Sequence, residues 1–185
     1  MKFERASHKR CHGFTSIELI VTVAILAMLA AIAIPAFSSW VPNYRLNAAA
    51  TDLVSNFQRA KMEAVKKNAD VVLSFSPQAY TPGGAVGSYQ IFIDDGAGGG
   101  TPGNFVRDGG ETLILQATMP GNVSLYSAAF PGTQPTAAGF NSRGLPASGK
   151  TGDVALRNNK SRYYQVSLSV AGNISLKKSN NGVFP

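Results

Sequence analysis

The sequence predicts an α+β chain in which one long N-terminal helix packs on a twisted, mainly antiparallel β-sheet. Three observations carry that expectation. Residues 19–37 form an apolar run without a charge, with Thr22 as its one polar side chain. Leu46, Ala50, Leu53, Phe57, Ala60 and Ala64 then recur at spacings of three and four, the period of a helix with one buried face. From Val71 the composition shifts to β-formers punctuated by glycine and other turn residues. The chain accordingly divides into a leader (1–13), a membrane or core helix (14–37), the amphipathic half of the same helix (38–67) and a β-rich domain (68–185).

The leader holds Lys2, Arg5, Lys9 and Arg10 against Glu4, a large share of the net charge of +7. It also holds His8, His12 and Cys11, the chain's single cysteine. The apolar run that follows has nineteen residues. At a rise of ~1.5 Å each it covers about 28 Å, close to the hydrocarbon thickness of a bilayer. A basic flank stays cytoplasmic, so the remainder of the chain is expected on the far side of the membrane. A secretory signal cleaved near Ala31-Ile32-Ala33 and an uncleaved signal anchor are the two ordinary readings of such a run.

Glu18 fits neither. A carboxylate in a membrane segment is rare and functional by default. Ten strongly apolar neighbours contribute roughly 3–6 kcal/mol to insertion, against about 2.5–3.5 kcal/mol for one charge at a helix centre. The segment inserts with Glu18 in place, and the carboxylate still requires a partner.

Beyond Pro35 and Pro42 the amphipathic stripe is interleaved with Arg45, Asn47, Asp52, Gln58, Lys61 and Glu63. It ends at Lys66-Lys67-Asn68, with cations in the last turn. The stripe reads as core against a sheet. Strands are expected at 71–75, 88–93, 112–118, 123–126, 153–156, 163–170 and 173–177. Tyr164, Val166, Leu168 and Val170 alternate with polar residues, and Ala171-Gly172-Asn173 closes a hairpin. The glycine-rich stretches 94–111 and 127–152 read as surface loops.

Gly13-Phe14-Thr15-Ser16-Ile17-Glu18-Leu19, with Pro35 downstream, resembles the processing motif of type IV prepilins and type II secretion pseudopilins. The resemblance implies cleavage between Gly13 and Phe14 by a prepilin peptidase/N-methyltransferase, and N-methylation of Phe14. It further implies that Glu18 pairs the new α-amine of a neighbouring subunit, with Pro35 in the assembling helix. An unpaired partner of such a pair is costly away from water. "NYRLNAAATDLVSNFQRAKMEAVKKNADVVLSF", "SYQIFIDDG" and "GFNSRGLP" are similar to the GspH-type pseudopilins and FimT-type minor pilins, including a Phe-x-x-x-Gly turn at Phe140 and Gly144. The family is structural and takes no cofactor. Its partners are other pilin or pseudopilin subunits, its place the bacterial inner membrane, its globular part periplasmic.

Downstream of Gly13 there is no histidine or cysteine, which excludes Ser-His-Asp, Cys-His and thiolate or imidazole metal sites in the processed chain. Asp94, Asp95, Asp108 and Glu111 offer oxygen ligands but no EF-hand spacing, and read as a solvated turn or a calcium loop. Gly98-Gly99-Gly100-Thr101-Pro102-Gly103 matches Gly-x-Gly-x-x-Gly only formally, with no helix pattern after it. The last third is basic: Arg143, Lys150, Arg157, Lys160, Arg162, Lys177 and Lys178 face one acid, Asp153. A solvated surface explains this, as does a DNA-facing patch built from Arg157, Lys160, Arg162, Lys177 and Lys178 with Tyr163 or Tyr164 stacking. In DNA-binding FimT-type proteins a Gly-Arg-x-Arg motif makes the contact. The matching positions here read Gly172-Asn173-Ile174-Ser175, without the arginines. The expected function is a minor pilin or pseudopilin. The alternatives are a DNA-binding competence pilin and a single-span anchored domain that never polymerises.

Overall fold

The computed structural model describes residues 14–84 and 86–184. The leader, including Gly13, lies outside the described residues. Helix α1 runs over Ser16–Lys67, continuous through Pro35 and Pro42. The chain divides into two compact units, the first ending at Ser38 and the second beginning at Ser39.

In the first unit the apolar side chains are uncovered: Ile17, Leu19, Ile20, Leu26, Leu29, Ile32, Ile34 and Phe37 are all exposed. The helix is long and apolar enough, by length and composition, to cross a membrane. Thr22, the polar residue in the run, turns its hydroxyl inward and donates to the carbonyl of Leu19 at 2.8 Å. It therefore presents no unsatisfied donor to an apolar surround.

Among the described residues of the second unit eight strands form two four-stranded antiparallel sheets. The strands are β1 (Asp70–Ser76), β2 (Ser88–Asp94), β3 (Leu113–Thr118), β4 (Val123–Ala129), β5 (Ala137–Phe140), β6 (Gly152–Asn158), β7 (Tyr163–Leu168) and β8 (Ile174–Ser179). The first sheet is ordered β3-β2-β1-β5 and the second β4-β6-β7-β8. The fold class agrees with expectation, and the division into two sheets revises the expected single one. The stripe Leu46, Ala50, Leu53, Phe57, Ala60 and Ala64 is fully buried, in one core with Val71, Leu73, Phe75, Ile91, Leu125, Leu156 and Val166. Phe57 stands at its centre, 5.9 Å from Phe75 and edge-on to Phe140 at 6.4 Å. The helix alanines let the backbones approach, and the aromatic rings fill the space between the sheets.

Two expected surface loops are not simply surface. Within 127–152 the chain forms β5, buried at every position, paired with β1 from Val71↔Phe140 to Ser74↔Ala137. Phe105 and Ala147 come from the two glycine-rich segments. They cover the outer face of the first sheet in a small cluster with Val72, Phe92 and Ala137. This explains the consecutive apolar residues Val71-Val72-Leu73 in β1, since the strand is covered on both faces. Strand β7 ends at Leu168, and Val170 is exposed in the turn, where the amide of Gly172 donates to the carbonyl of Ser169 at 2.9 Å. The Phe140–Gly144 turn is closed by Asn141, whose side-chain oxygen accepts the amides of Arg143 and Leu145 at 3.0 and 3.2 Å. Gly144 has φ 73°, and a Cβ there would meet Lys61 and Val65 of α1.

Polar ties flank the apolar stripe. Asn158 donates to Asn43 at 2.8 Å, Arg45 to the carbonyl of Gly121 at 3.3 Å, Asn56 to Tyr89 at 2.7 Å and Lys61 to the carbonyl of Gly172 at 3.0 Å.

Candidate functional site

The start of α1 is built from Thr15. Its hydroxyl oxygen accepts the amide of Glu18 at 3.3 Å, and its carbonyl accepts the amide of Leu19 at 3.1 Å. Thr15-Ser16-Ile17-Glu18 is the sequence of a capping box, which satisfies amides that the first turn leaves without helical partners. Glu18 therefore has a local reason to stand where it does, besides the expected pairing role. An acid in the first turn interacts favourably with the positive end of the helix dipole. This second role was legible in the Thr-x-x-Glu spacing. The Glu18 side chain is exposed, and Phe14, directly before the cap, is 79% exposed. A processed amine on Phe14 and the Glu18 carboxylate would thus both be open to a neighbour. Pro35 sits exposed in α1, and its carbonyl accepts the Ser38 hydroxyl at 2.8 Å.

The basic candidates occupy two places. Arg157 lies between the rings of Tyr80 and Tyr163, 5.3 and 5.4 Å from their centroids, with its Nε buried and unpartnered. Tyr163 is opposite Arg157 in the β6–β7 register, and Lys177 is opposite Gln165 in β7–β8, so alternation puts Arg157, Tyr163 and Lys177 on one sheet face. Lys160, Arg162 and Lys178 gather instead beside Asn43, near the start of the second unit. Buried Asn158 donates to Asn43 and accepts the amides of Lys160 and Arg162, each at 3.0 Å. The Arg162 guanidinium donates to Asn180. Lys178 lies 5.3 Å over Tyr164, whose hydroxyl donates to Asn47 at 3.1 Å. Lys150 is no surface cation: it is buried, donating to the carbonyls of Thr133 and Gln134 at 2.8 and 2.9 Å, its ammonium 4.2 Å over Phe105.

The acidic loop is also different from a solvated turn. Asp94 and Glu111 are each 2% exposed. Asp94 accepts the amides of Gly103 and Phe105 at 2.7 and 2.8 Å, and Glu111 those of Gly96 and Asp108, both at 3.1 Å. Asp108 holds the amide of Thr101 and the side chain of Asn104. The carboxylates shape the loop by accepting its amides. Among the described residues no group of three or more His, Cys, Asp or Glu is arranged to hold a metal ion. Burial raises the Glu111 pKa above its ordinary value. The Asp108 and Gly96 amides oppose the shift, while Asp94 and Asp108 add to it.

Residues 49–172 match the family model described as "Type II transport protein GspH", and residues 8–34 match the "Prokaryotic N-terminal methylation motif". Over 86 residues the chain is 37% identical to "Pilin-like protein PilA1" of Thermus thermophilus, covering 46% of this chain and 49% of that protein. The chain thus spans about half the length, or less, of the curated relatives it matches. Among solved structures it is similar to the type IV minor pilin FimU of Pseudomonas aeruginosa at 17% identity and TM-score 0.49, covering 77% of this chain and 94% of that one. It is also similar to the minor pseudopilin EpsH from the Type 2 Secretion System of Vibrio cholerae at 12% identity and TM-score 0.46, covering 71% and 95%.

Proposed function

Because the chain belongs to the GspH family of type II transport proteins, we propose that it is a minor pilin or pseudopilin, a structural subunit rather than an enzyme. In this reading residues 1–13 are removed by a prepilin peptidase, Phe14 is N-methylated, and residues 14–37 anchor the chain in the inner membrane with the β-rich part periplasmic. Glu18 then meets the Phe14 amine of another pilin subunit as the helix enters a filament, with Pro35 inside that helical core.

One observation carries the reading. The first unit displays an apolar helix with none of its most apolar stretch buried by its own chain, directly behind an exposed Phe14 and Glu18. Such a surface needs lipid or neighbouring helices around it. The methylation-motif match covers the junction itself.

Mass spectrometry of the chain recovered from its host membrane tests the proposal. The expected mature N-terminus is methylated Phe14. An intact leader, or cleavage beside Ala33, refutes it and favours an anchor or a secretory signal that never polymerises.

A further inference from the structure

We propose that the end of the second unit holding its first residues is a lipid-facing base, in which Trp40 and Tyr44 seat in the bilayer interface and Arg45, Lys160, Arg162 and Lys178 bind anionic headgroups. The proposal rests on the membrane-anchored reading above.

The aromatic pair comes first. Trp40, the chain's one tryptophan, and Tyr44 are 60% and 59% exposed and stack at 5.5 Å with a 22° interplanar angle. They lie one helical turn apart on the face of α1 away from Leu46 and Leu53. Chain connectivity alone keeps Trp40 three residues beyond Phe37, the end of the apolar run. Tryptophan and tyrosine concentrate at that depth because each ring has an apolar body and one polar atom. Pro42 cannot donate to the carbonyl of Ser38. A carbonyl freed this way costs little where water and headgroups reach it, and several kcal/mol in hydrocarbon.

The cations follow from the fold. Asn158 ties the Lys160–Arg162 turn to Asn43, and Ser161 at its tip adopts φ 53° to close it. Lys178 is beside Tyr164, and the groove lining here includes Asn43, Arg162, Lys178 and Asn180. Arg45 belongs to the same end of the unit but to another side of the helix, where it donates to the carbonyl of Gly121 at 3.3 Å. No described acid is within ion-pair distance of these four cations. The acids of the second unit are placed apart from them: Asp52 is seven residues beyond Arg45 on α1, Glu63 pairs with Lys66, Asp70 and Asp94 are register partners at the far end of β1, Asp95, Asp108 and Glu111 belong to the loop beyond it, and Asp153 is near the opposite end of β6 from Asn158. A cationic end next to a membrane segment complements an anionic leaflet, where each cation contributes roughly a fivefold bias toward contact. Nucleic acid would need the same charges, but it gives no reason for an exposed Trp-Tyr pair at the margin of the apolar run.

The processed full-length chain, which lacks Cys11 and so any native thiol, is reconstituted in phosphatidylcholine vesicles with or without about one third phosphatidylglycerol. Trp40 reports its own depth, and an Asn159→Cys variant carries a dye at the turn. Trp40 emission is expected to be blue-shifted and quenched more by headgroup-level than by mid-chain nitroxide lipids. The dye is expected to be quenched by headgroup nitroxides only in the anionic vesicles, with most of that quenching lost on Lys160→Gln/Arg162→Gln or at about 1 M salt. Equal dye quenching in both vesicles, or aqueous Trp40 emission in a chain that floats with vesicles, overturns the lipid-facing base. So does a double variant that abolishes single-stranded DNA binding and leaves headgroup quenching intact. A chain that fails to float with vesicles at all overturns the anchor reading itself.

Discussion

Glu18→Gln separates the two roles that the structure allows for Glu18. Glutamine keeps the capping-box chemistry at the third position of the helix and removes only the charge. Thr15→Ala does the converse: it deletes the hydroxyl that accepts the Glu18 amide at 3.3 Å and leaves the carboxylate. Loss of the cap costs about 1 kcal/mol, or roughly fivefold in an equilibrium. Leaving the Phe14 ammonium without its carboxylate among packed apolar helices costs about 3–5 kcal/mol, the penalty for breaking one side of a buried ion pair. That is a factor of roughly 150 to 5,000 in partition between membrane and filament. The assay is the ratio of subunit in sheared filaments or pseudopili to subunit in membranes, for wild type and both variants expressed at equal levels. Glu18→Gln is expected to fall at least tenfold below Thr15→Ala, while both still insert in the membrane. Equal incorporation of the two variants would falsify the pairing and leave Glu18 as a capping residue.

Two further outcomes follow from the second unit. Phe57→Ala empties the space between Phe75 and Phe140 and should lower unfolding stability by about 3–5 kcal/mol in denaturant titration. Met62→Ala, exposed on the same helix, should stay within about 0.5 kcal/mol, and similar losses in the two refute the placement of the core. Glu111 has a folded pKa raised above 4.5 by burial, and Asp70 one raised above 3.8 by burial and then by Asp94. The folded chain therefore holds these protons more tightly than the unfolded chain. Their contribution to stability is fullest below the ordinary values and is lost as pH rises through the raised ones. Glu111→Gln removes one of these titrations, so the fall in stability just above pH 4.5 should become shallower, and unchanged slopes count against the burial of that carboxylate.

How much could be read in advance depends on the range of the interaction. The apolar run, the stripe from Leu46 to Ala64 and the Thr15–Glu18 cap are written in neighbours up to four residues apart, so spacing alone reveals them. Seven of the eight strands were legible from β-branched and aromatic content with turn signals between them. Strand β5 was not. Ala137-Ala138-Gly139-Phe140 has little intrinsic strand preference and becomes a strand because β1 offers it a ladder. Asp94 and Glu111 resembled solvated turn residues because all but one of their amide donors lie nine to fifteen positions away, the exception being Asp108 beside Glu111. The basic residues were countable, yet their separation into an Arg157–Tyr163 face and an Asn43-side base depends on β6, β7 and β8 pairing in one sheet.

The methylation motif around Gly13 and Phe14, the membrane-length helix, the buried stripe and the absence of histidine and cysteine after Gly13 were all legible from the sequence alone, since each is local or compositional. Only the tertiary structure decided that there are two sheets, that small residues complete the first, that Lys150 and the loop carboxylates are buried, and which cations share a surface. Those outcomes belong to pairings across long stretches of chain, where a residue's environment is set by partners that its own neighbourhood does not encode.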